Sequence, residues 1–264
     1  MYGEGQITYR SIISIFQIFT FSTSLTISYY FRRKNRLGYL CLGLFSIVRL
    51  VSASCFLALI NHDTYGLKAT VFVCEGLGII LFVFIFVEIL GWVDEQAPVL
   101  HKYALLVPHV LTYVDLLIAI VGFVVVRKRE NAYEPTAFSK ANRALLVLMY
   151  AYTIMLLGIL VHYRNRSATA KAQRNALMGV GACIPFMVIR LVYSLIFEAT
   201  GDMKFNAVKG DETIYMFMTF LPEAIVVFVC IATIWKIPLE TKERNRSEER
   251  QSMNDEERMF SSAG

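Results

Sequence analysis

Residues 68–91 read KATVFVCEGLGIILFVFIFVEILG, and this stretch decides the fold. Its charged residues are Lys68, Glu75 and Glu88, while almost every other position is apolar or glycine. Crossing the hydrocarbon core of a bilayer, about 30 Å thick, takes about 20 mostly apolar helical residues. Barrel strands alternate apolar and polar residues and do not give continuous apolar runs of this length. The stretch therefore predicts a membrane-spanning helix.

Similar stretches recur on both sides of this one. The predicted spans cover residues 8–31, 38–60, 68–91, 104–126, 143–163, 176–198 and 213–235. Connections such as 32–37 are too short to hold a soluble domain. We therefore expect an all-α, polytopic membrane protein whose seven-transmembrane-helix bundle occupies residues 1–238. Residues 239–264 are charged and poor in apolar side chains, which predicts a disordered cytoplasmic tail.

The composition supports a lipid environment and argues against several other classes. Hydrophobic residues make up 56% of the chain and charged residues 18%, with a mean hydropathy of +0.52. Soluble domains carry about 25% charged residues. The net charge of +5 comes from short basic clusters between apolar stretches, which favours contact with lipid headgroups over nucleic acid. The five cysteines all lie in apolar stretches and are interpreted as packed free thiols, so no metal site is predicted.

The distribution of lysine and arginine predicts an external or lumenal N-terminus and a cytoplasmic C-terminus, because cytoplasmic loops are enriched in these residues. The cluster Arg127 to Arg129 would then lie outside, against this rule. The predicted inner side holds Arg32, Arg33, Lys34, Arg36, Lys102, Arg164, Arg166, Lys171, Arg174 and Lys236. The predicted outer side holds Arg10, Lys68, Arg127, Lys128, Arg129, Lys140, Arg143, Lys204 and Lys209.

Charged side chains inside the predicted spans mark the candidate site. A charge at mid-bilayer costs about 2.5 to 3.5 kcal/mol on insertion scales, so each one requires a partner or a cavity. At 1.5 Å per residue, Arg49 lies roughly 16 Å from the inner boundary and Glu75 roughly 10 Å from the outer one, which places them at similar depths. The same arithmetic places Arg190 and Glu223 together in the outer half. We therefore expect two Arg–Glu pairs on consecutive helices.

The two pairs also suggest an internal repeat. Residues 48–51 read VRLV and precede Glu75, while residues 189–192 read IRLV and precede Glu223. A three-plus-one-plus-three parallel repeat would place the pairs equivalently. In transporters with such repeats, the substrate site lies near the midplane where the repeats meet. The alternative interpretation is that the pairs only lock helices together.

Two further residues complete the candidate site. Asp115 lies in the middle of its predicted span with no cation on the same helix, so it is expected to be protonated, to bond a hydroxyl group or to line a cavity. Tyr193 follows Arg190 by about one turn and is placed to hydrogen-bond inside the bundle. The predicted substrate-binding or intramembrane polar cluster is Arg49, Glu75, Asp115, Arg190, Tyr193 and Glu223.

Missing motifs exclude several functions. The last predicted span has no lysine for retinal, and Asp115 is the only deep aspartate, whereas an intramembrane aspartyl protease needs two. The four histidines are scattered near span ends, which argues against a zinc hydrolase. Helix three lacks the acidic-Arg-aromatic triplet of G-protein-coupled receptors. We therefore expect no enzymatic activity and no cofactor.

Three motifs carry a family resemblance: residues 37–39 leading to Arg49, residues 184–186 running into 190–194, and Pro222–Glu223. On these motifs the chain resembles an uncharacterised family of fungal seven-span integral membrane proteins, grouped as a domain of unknown function, over residues 7–236. More distantly, it is similar to the fungal RTA-like group of lipid-translocating exporters. The resemblance implies a fungal source and a seven-helix fold, and its distant part implies transport of amphipathic lipids.

Two functional hypotheses follow. The first is a transporter or lipid-handling protein with a polar intramembrane cavity, whose partners are membrane lipids and an amphipathic small-molecule or lipid substrate. The second is a receptor-like sensor or membrane scaffold in which the same charges form closed pairs and the tail binds a cytosolic partner. Neither hypothesis involves nucleic acid.

Overall fold

The chain folds into a bundle of long helices. The computed structural model describes residues 9–60, 64–96, 98–101, 103–126, 137–164, 171–206, 208 and 210–237, and these contain no strand. The helices are α1 (Tyr9–Arg33), α2 (Tyr39–Ala58), α3 (Tyr65–Glu95), α4 (Leu106–Val126), α5 (Ala137–Arg164), α6 (Lys171–Thr200) and α7 (Glu212–Lys236). A short 3₁₀ helix, Met203–Phe205, lies between α6 and α7. The predicted tail 239–264, the 127–129 cluster, Lys102, Arg166 and Lys209 lie outside the described residues.

Six of these helices, rather than the predicted seven, are long and apolar enough to cross a membrane: α1, α2, α3, α5, α6 and α7. The helix α4 has 21 residues and lies at the predicted position of the fourth span. Several of its side chains, including those of residues 122–126, fall outside the described part of the chain. The structure is therefore that of a multi-pass membrane protein with six candidate spans, and the seventh span stays a prediction.

The helix α3 lies at the centre of the bundle and packs against α2, α4, α5 and α6. It has a mean hydropathy of 2.6, and 61% of its 18 most apolar consecutive residues are buried, against 39% to 50% in the other candidate spans. A helix that is apolar on every side can be buried by neighbouring helices on every side. Phe82 and Phe86 of α3 are fully buried, and Phe82 packs against Phe45 of α2 with ring centroids 4.3 Å apart.

The two ends of the bundle have different chemistry. We call the end where α1, α3, α5 and α7 begin the N-terminal end, and the opposite one the C-terminal end. At the C-terminal end, Arg36 Nη1 donates to the carbonyl oxygens of Ile234 and Trp235, at 2.9 Å each. Arg164 Nη1 donates to Gln173 Oε1 at 2.7 Å. Helix C-termini carry partial negative charge, so arginine is the favourable residue beside the last turn of α7.

A short folded segment closes part of the N-terminal end. Val208, which lies between α6 and α7, packs in one apolar cluster with Phe56, Leu59 and Val71. Asp211 begins α7 by accepting hydrogen bonds from the backbone N–H groups of residues 213 and 214. Such a cap satisfies donors that have no partner inside the helix. The segment between α6 and α7 is thus tied to the ends of α2 and α3.

Small residues allow the helices to approach each other, as expected for association in lipid. A Cβ atom on Gly179 of α6 would collide with the side chain of Thr233 of α7 and lie 3.0 Å from its Cβ. A Cβ atom on Gly43 would lie 2.8 Å from Ser28 Oγ, where α2 crosses α1. At Gly181 the nearest heavy atom would be an ordinary 4.0 Å away.

We expect Gly179→Ala to lower the thermal unfolding midpoint of the detergent-solubilised protein, because α6 and α7 must separate to admit the methyl group. The matched control is Gly158→Ala, since a Cβ atom there meets nothing within 4 Å. Adding Thr233→Ala to Gly179→Ala should restore most of the loss. Equal midpoints for the two glycine variants would contradict the close packing of α6 on α7.

Candidate functional site

Four buried charges from four helices meet in the bundle. This four-charge cluster consists of Arg49 of α2, Glu75 of α3, Arg190 of α6 and Glu223 of α7. Arg49 Nη1 lies 2.7 Å from Glu75 Oε1, and Arg49 Nη2 contacts Glu223 Oε1. Arg190 Nη2 lies 2.7 Å from Glu75 Oε2, and Arg190 Nε lies 2.8 Å from Glu223 Oε1. Each arginine therefore contacts both glutamates, in an alternating ring of formal charge zero.

Burial makes the four-charge cluster energetically demanding. No member has more than 2% of its surface exposed. Moving an ion out of water costs several kcal/mol, which its partners offset only with close geometry and additional hydrogen bonds. Both predicted pairs, Arg49 with Glu75 and Arg190 with Glu223, are present in the structure. The crossed contacts, Arg49 with Glu223 and Arg190 with Glu75, were not predicted.

A glycine makes room for one of the arginines. A Cβ atom on Gly78 of α3 would lie 3.0 Å from Arg49 Nη2 and 3.2 Å from its Cζ. Without that atom, the guanidinium group lies directly against the backbone of α3, one turn from Glu75. Gly78 thus accommodates a charged side chain, whereas a Cβ atom on Gly76 would make only an ordinary 3.9 Å contact with Arg143.

Two residues that sequence reasoning missed, Tyr215 and Gln17, extend the four-charge cluster to α1. Tyr215 of α7 donates a 2.6 Å hydrogen bond to Glu75 Oε1. Gln17 of α1 donates a 3.0 Å hydrogen bond to the hydroxyl oxygen of Tyr215. Both side chains are buried. Glu75 thus accepts a hydrogen bond from a neutral hydroxyl group in addition to contacting both arginines. The network of contacts then joins five helices: α1, α2, α3, α6 and α7.

A π-helical turn explains why Tyr215 was missed. At about 100° per residue, two residues eight apart in an α-helix point about 80° away from each other. Tyr215 and Glu223 are eight apart, so the α-helical pattern predicts different faces. Residues Met216–Phe220 instead form a π-helical turn, which takes up one additional residue. The effective separation becomes seven residues, about 20° from two full turns, and both side chains point toward the cluster.

A small cavity adjoins the four-charge cluster toward the N-terminal end of the bundle. The volume available to the centres of water molecules is about 20 Å³, enough for one or two waters. Charged and hydroxyl groups line one part of this cavity, and phenylalanine rings line the rest. The lining residues are Phe72, Glu75, Arg143, Arg190, Tyr193, Ser194, Phe197 and Phe205.

Arg143 was expected at an outer interface and is instead buried beside this cavity. Its Nε lies 3.9 Å from Glu198 Oε1, an oxygen that also accepts a hydrogen bond from Ser139. Its Nη1 has no hydrogen-bond partner within the described part of the chain. Arg143 is only the seventh residue of α5, a position where sequence alone predicts a charge facing lipid headgroups. No sequence pattern distinguishes it from an interfacial charge, because its burial depends on how α5 packs against α3 and α6.

The structure places the six predicted site residues in three places. Four form the four-charge cluster. Tyr193 lines the adjoining cavity, and its hydroxyl has no hydrogen-bond partner among the residues described. Asp115 does not join the cluster. It lies at the contact of α4 with α5, where the Asn142 amide, oriented with its nitrogen toward Asp115, donates to Oδ1 at 2.6 Å.

The site offers hydrogen-bonding groups of three kinds. Among the described residues, no three His, Cys, Asp or Glu side chains are grouped in a way that could hold a metal ion. The five cysteines are free. The available groups are guanidinium donors, carboxylate acceptors and phenol or serine hydroxyls, which recognise charged and polar groups through hydrogen bonds.

The comparison with protein families gives one match. The family model described as domain of unknown function (DUF7702) matches residues 7–238. The match covers every helix described above and ends where the charged tail begins. No curated protein and no solved structure matches the chain. The predicted resemblance to a domain of unknown function is confirmed, while the fungal source and the likeness to RTA-like exporters stay predictions.

Removing one charge of the four-charge cluster should lower the stability of the protein more than removing one arginine and one glutamate together. We expect Arg190→Gln to destabilise the protein by about 3–5 kcal/mol, because it leaves an uncompensated buried carboxylate. The double variant Arg190→Gln/Glu223→Gln restores neutrality and should recover part of that loss. Thermal unfolding in detergent measures both, with the exposed Lys140→Gln as control. An Arg190→Gln protein as stable as the control would show that the cluster is solvated.

Tyr215→Phe tests the reach of the network to α1. It removes the hydrogen bond to Glu75, and bonds to charged groups contribute about 1.5–3 kcal/mol. We expect a loss of that size and a non-additive double variant with Gln17→Leu, because both side chains act on one hydroxyl. Tyr113→Phe on α4 is the control, since Tyr113 is 62% exposed. Strictly additive effects of Tyr215→Phe and Gln17→Leu would argue against the shared bond.

Proposed function

This chain belongs to the DUF7702 family, a domain of unknown function, and from that premise we propose that it is a transporter or lipid-handling membrane protein. The observation that carries the proposal is the cavity beside the four-charge cluster. Ligand sites in membrane bundles lie between helices, where polar groups are shielded from lipid. The cavity has room only for a small group; its two arginines suit the polar head of an amphipathic molecule, and its three phenylalanines suit the apolar atoms next to that head.

The two halves of the chain contribute matching residues to the four-charge cluster. The four-charge cluster joins α2 and α3 from the first half with α6 and α7 from the second. Each half contributes one arginine and one glutamate in the same order. We propose that this reflects the three-plus-one-plus-three repeat. Parallel repeats of this kind hold substrate near the interface between the halves in several transporter folds.

We further propose the topology that goes with this function. With α4 crossing as a seventh span, the two termini lie on opposite sides of the membrane. Arginines beside the last turns of α7 and α3, namely Arg36 and Arg164, mark the C-terminal end as the cytoplasmic one under the positive-inside rule. The cavity then opens in the outer half. The proposed partners are membrane lipids and an amphipathic substrate, without enzymatic conversion of that substrate.

One observation favours the alternative, a receptor-like sensor or membrane scaffold. The four-charge cluster is closed, because each arginine is paired with both glutamates and almost no surface is exposed. Closed pairs hold helices in place and do not by themselves bind a substrate. In this alternative the tail after residue 238 binds a cytosolic partner and carries the signal.

A lipid-transfer assay tests the leading proposal. The full chain is reconstituted in vesicles that contain a fluorescent phospholipid, and dithionite bleaches the outer leaflet. We expect the bleached fraction to exceed that of protein-free vesicles. Phe72→Trp, which fills the cavity, should slow the transfer severalfold, because the larger ring takes the space of the substrate. Val110→Trp on the exposed face of α4 is the control and should leave the rate unchanged.

Deleting residues 239–264 separates the two functions in the same assay. A transporter keeps its transfer rate without the tail, whereas a sensor has no transfer activity to lose. Transfer no faster than in protein-free vesicles, with the full chain folded, would count against lipid handling. Equal slowing by Phe72→Trp and Val110→Trp would show that the cavity is not the path.

A further inference from the structure

The cavity beside the four-charge cluster is lined by one arginine whose nitrogens all have partners and by another, Arg143, that has one nitrogen without a partner among the described residues. Arg190 uses all three of its nitrogens: Nε and Nη2 contact the two glutamates, and Nη1 donates to Ser194 Oγ at 2.8 Å. Arg143 is 92% buried, yet its Nη1 has no hydrogen-bond partner among the described residues. Its nearest carboxylate oxygen, on Glu198, lies 3.9 Å from Nε, beyond hydrogen-bond distance.

A second buried group faces the same cavity without a partner. The hydroxyl of Tyr193 makes no hydrogen bond to any described residue, although Tyr193 is 98% buried. Leaving a buried donor unsatisfied costs stability, and leaving a charged donor unsatisfied costs more. Two such donors that line one cavity call for a group that brings acceptor oxygens into it.

The chemistry of the two donors indicates which class of ligand group they would bind. A guanidinium offers N–H groups in a planar fork and has no acceptor, and it pairs best with the oxygens of a carboxylate or phosphate. A phenol hydroxyl donates to the same kind of oxygen. The volume of about 20 Å³ takes one or two oxygen atoms. Phe72, Phe197 and Phe205 line the remaining wall and suit an apolar substituent.

We infer that Arg143 and Tyr193 bind one oxyanion group, a carboxylate or phosphate, in the cavity between α3, α5 and α6. The inference deepens the proposed function, because the oxyanion is the polar head of the amphipathic substrate. Arg190 adds positive charge at the back of the cavity while remaining bonded to the four-charge cluster. Glu75, which also lines the cavity, is held by the cluster. Glu198 Oε1 accepts a hydrogen bond from Ser139 and lies near Arg143, while Glu198 Oε2 has no hydrogen-bond partner among the described residues. The anion is either the headgroup of a lipid or a free oxyanion.

Binding is measured on the full chain in uncharged detergent, without any transport step. The thermal unfolding midpoint is followed while inorganic phosphate replaces chloride at constant ionic strength. A second series adds phosphatidic acid or diacylglycerol, which lacks the phosphate, to the micelles. We expect a saturable rise of the midpoint with phosphate or with phosphatidic acid, and none with diacylglycerol. A rise with phosphatidic acid alone identifies a lipid headgroup, and a rise with phosphate identifies a free anion as sufficient.

Three variants assign the effect to the cavity. Tyr193→Phe removes an oxygen that no described residue bonds, so the protein should fold normally and the half-saturating concentration should rise about fivefold, which corresponds to one hydrogen bond. Arg143→Gln should abolish the rise, and Arg143→Lys should retain part of it. Lys140→Gln, exposed one turn earlier on α5, should leave the titration unchanged.

The inference is overturned if neither phosphate nor phosphatidic acid raises the midpoint, because the cavity then holds water only. It is equally overturned if Tyr193→Phe and Lys140→Gln give the same half-saturating concentration. Phosphate binding without lipid transfer would contradict the proposed function and leave the anion site standing. Lipid transfer with no anion dependence would contradict the anion site alone.

Discussion

The structure depends on the requirement that four charges in a low-dielectric interior neutralise each other. Arg49, Glu75, Arg190 and Glu223 are buried away from bulk solvent, and each has two oppositely charged neighbours at close range. This requirement fixes the depth and rotation of α2, α3, α6 and α7 together. Most of the bundle is apolar packing that tolerates small shifts, whereas an alternating ring of charges tolerates almost none.

Two backbone features of the bundle serve this requirement. At Gly78 the missing side chain leaves room for the Arg49 guanidinium against α3. In α7 the π-helical turn just before Pro222 rotates Tyr215 onto the face of Glu223. Proline lacks a backbone N–H and cannot complete the α-helical hydrogen bond to the preceding turn, which favours an irregular turn at this place. Gly78 and the π-helical turn of α7 thus both lie where charged groups meet.

Much of this architecture could be predicted from the sequence. Long apolar runs locate the helices, because the bilayer sets their length, and the rise per residue places Arg49 level with Glu75 and Arg190 level with Glu223. The crossed contacts between the pairs could not be predicted, since they depend on which nonadjacent helices touch. The contact of Tyr215 with the cluster was not predicted, because the helical periodicity of the sequence assumes a regular α-helix. Arg143 resembled an interfacial charge, and only packing against α3 and α6 brings it to the cavity.

The alternating ring also has a consequence for the order in which the protein is made. Its members enter the membrane in the sequence Arg49, Glu75, Arg190, Glu223, because chains are synthesised from the N-terminus. After α3 the inserted charges balance, after α6 one arginine is in excess, and only α7 restores neutrality. A nascent chain that still lacks α7 therefore carries one uncompensated buried cation. Among the four helices that carry the cluster, α7 leaves the ribosome last, and it is the one that completes the charge balance.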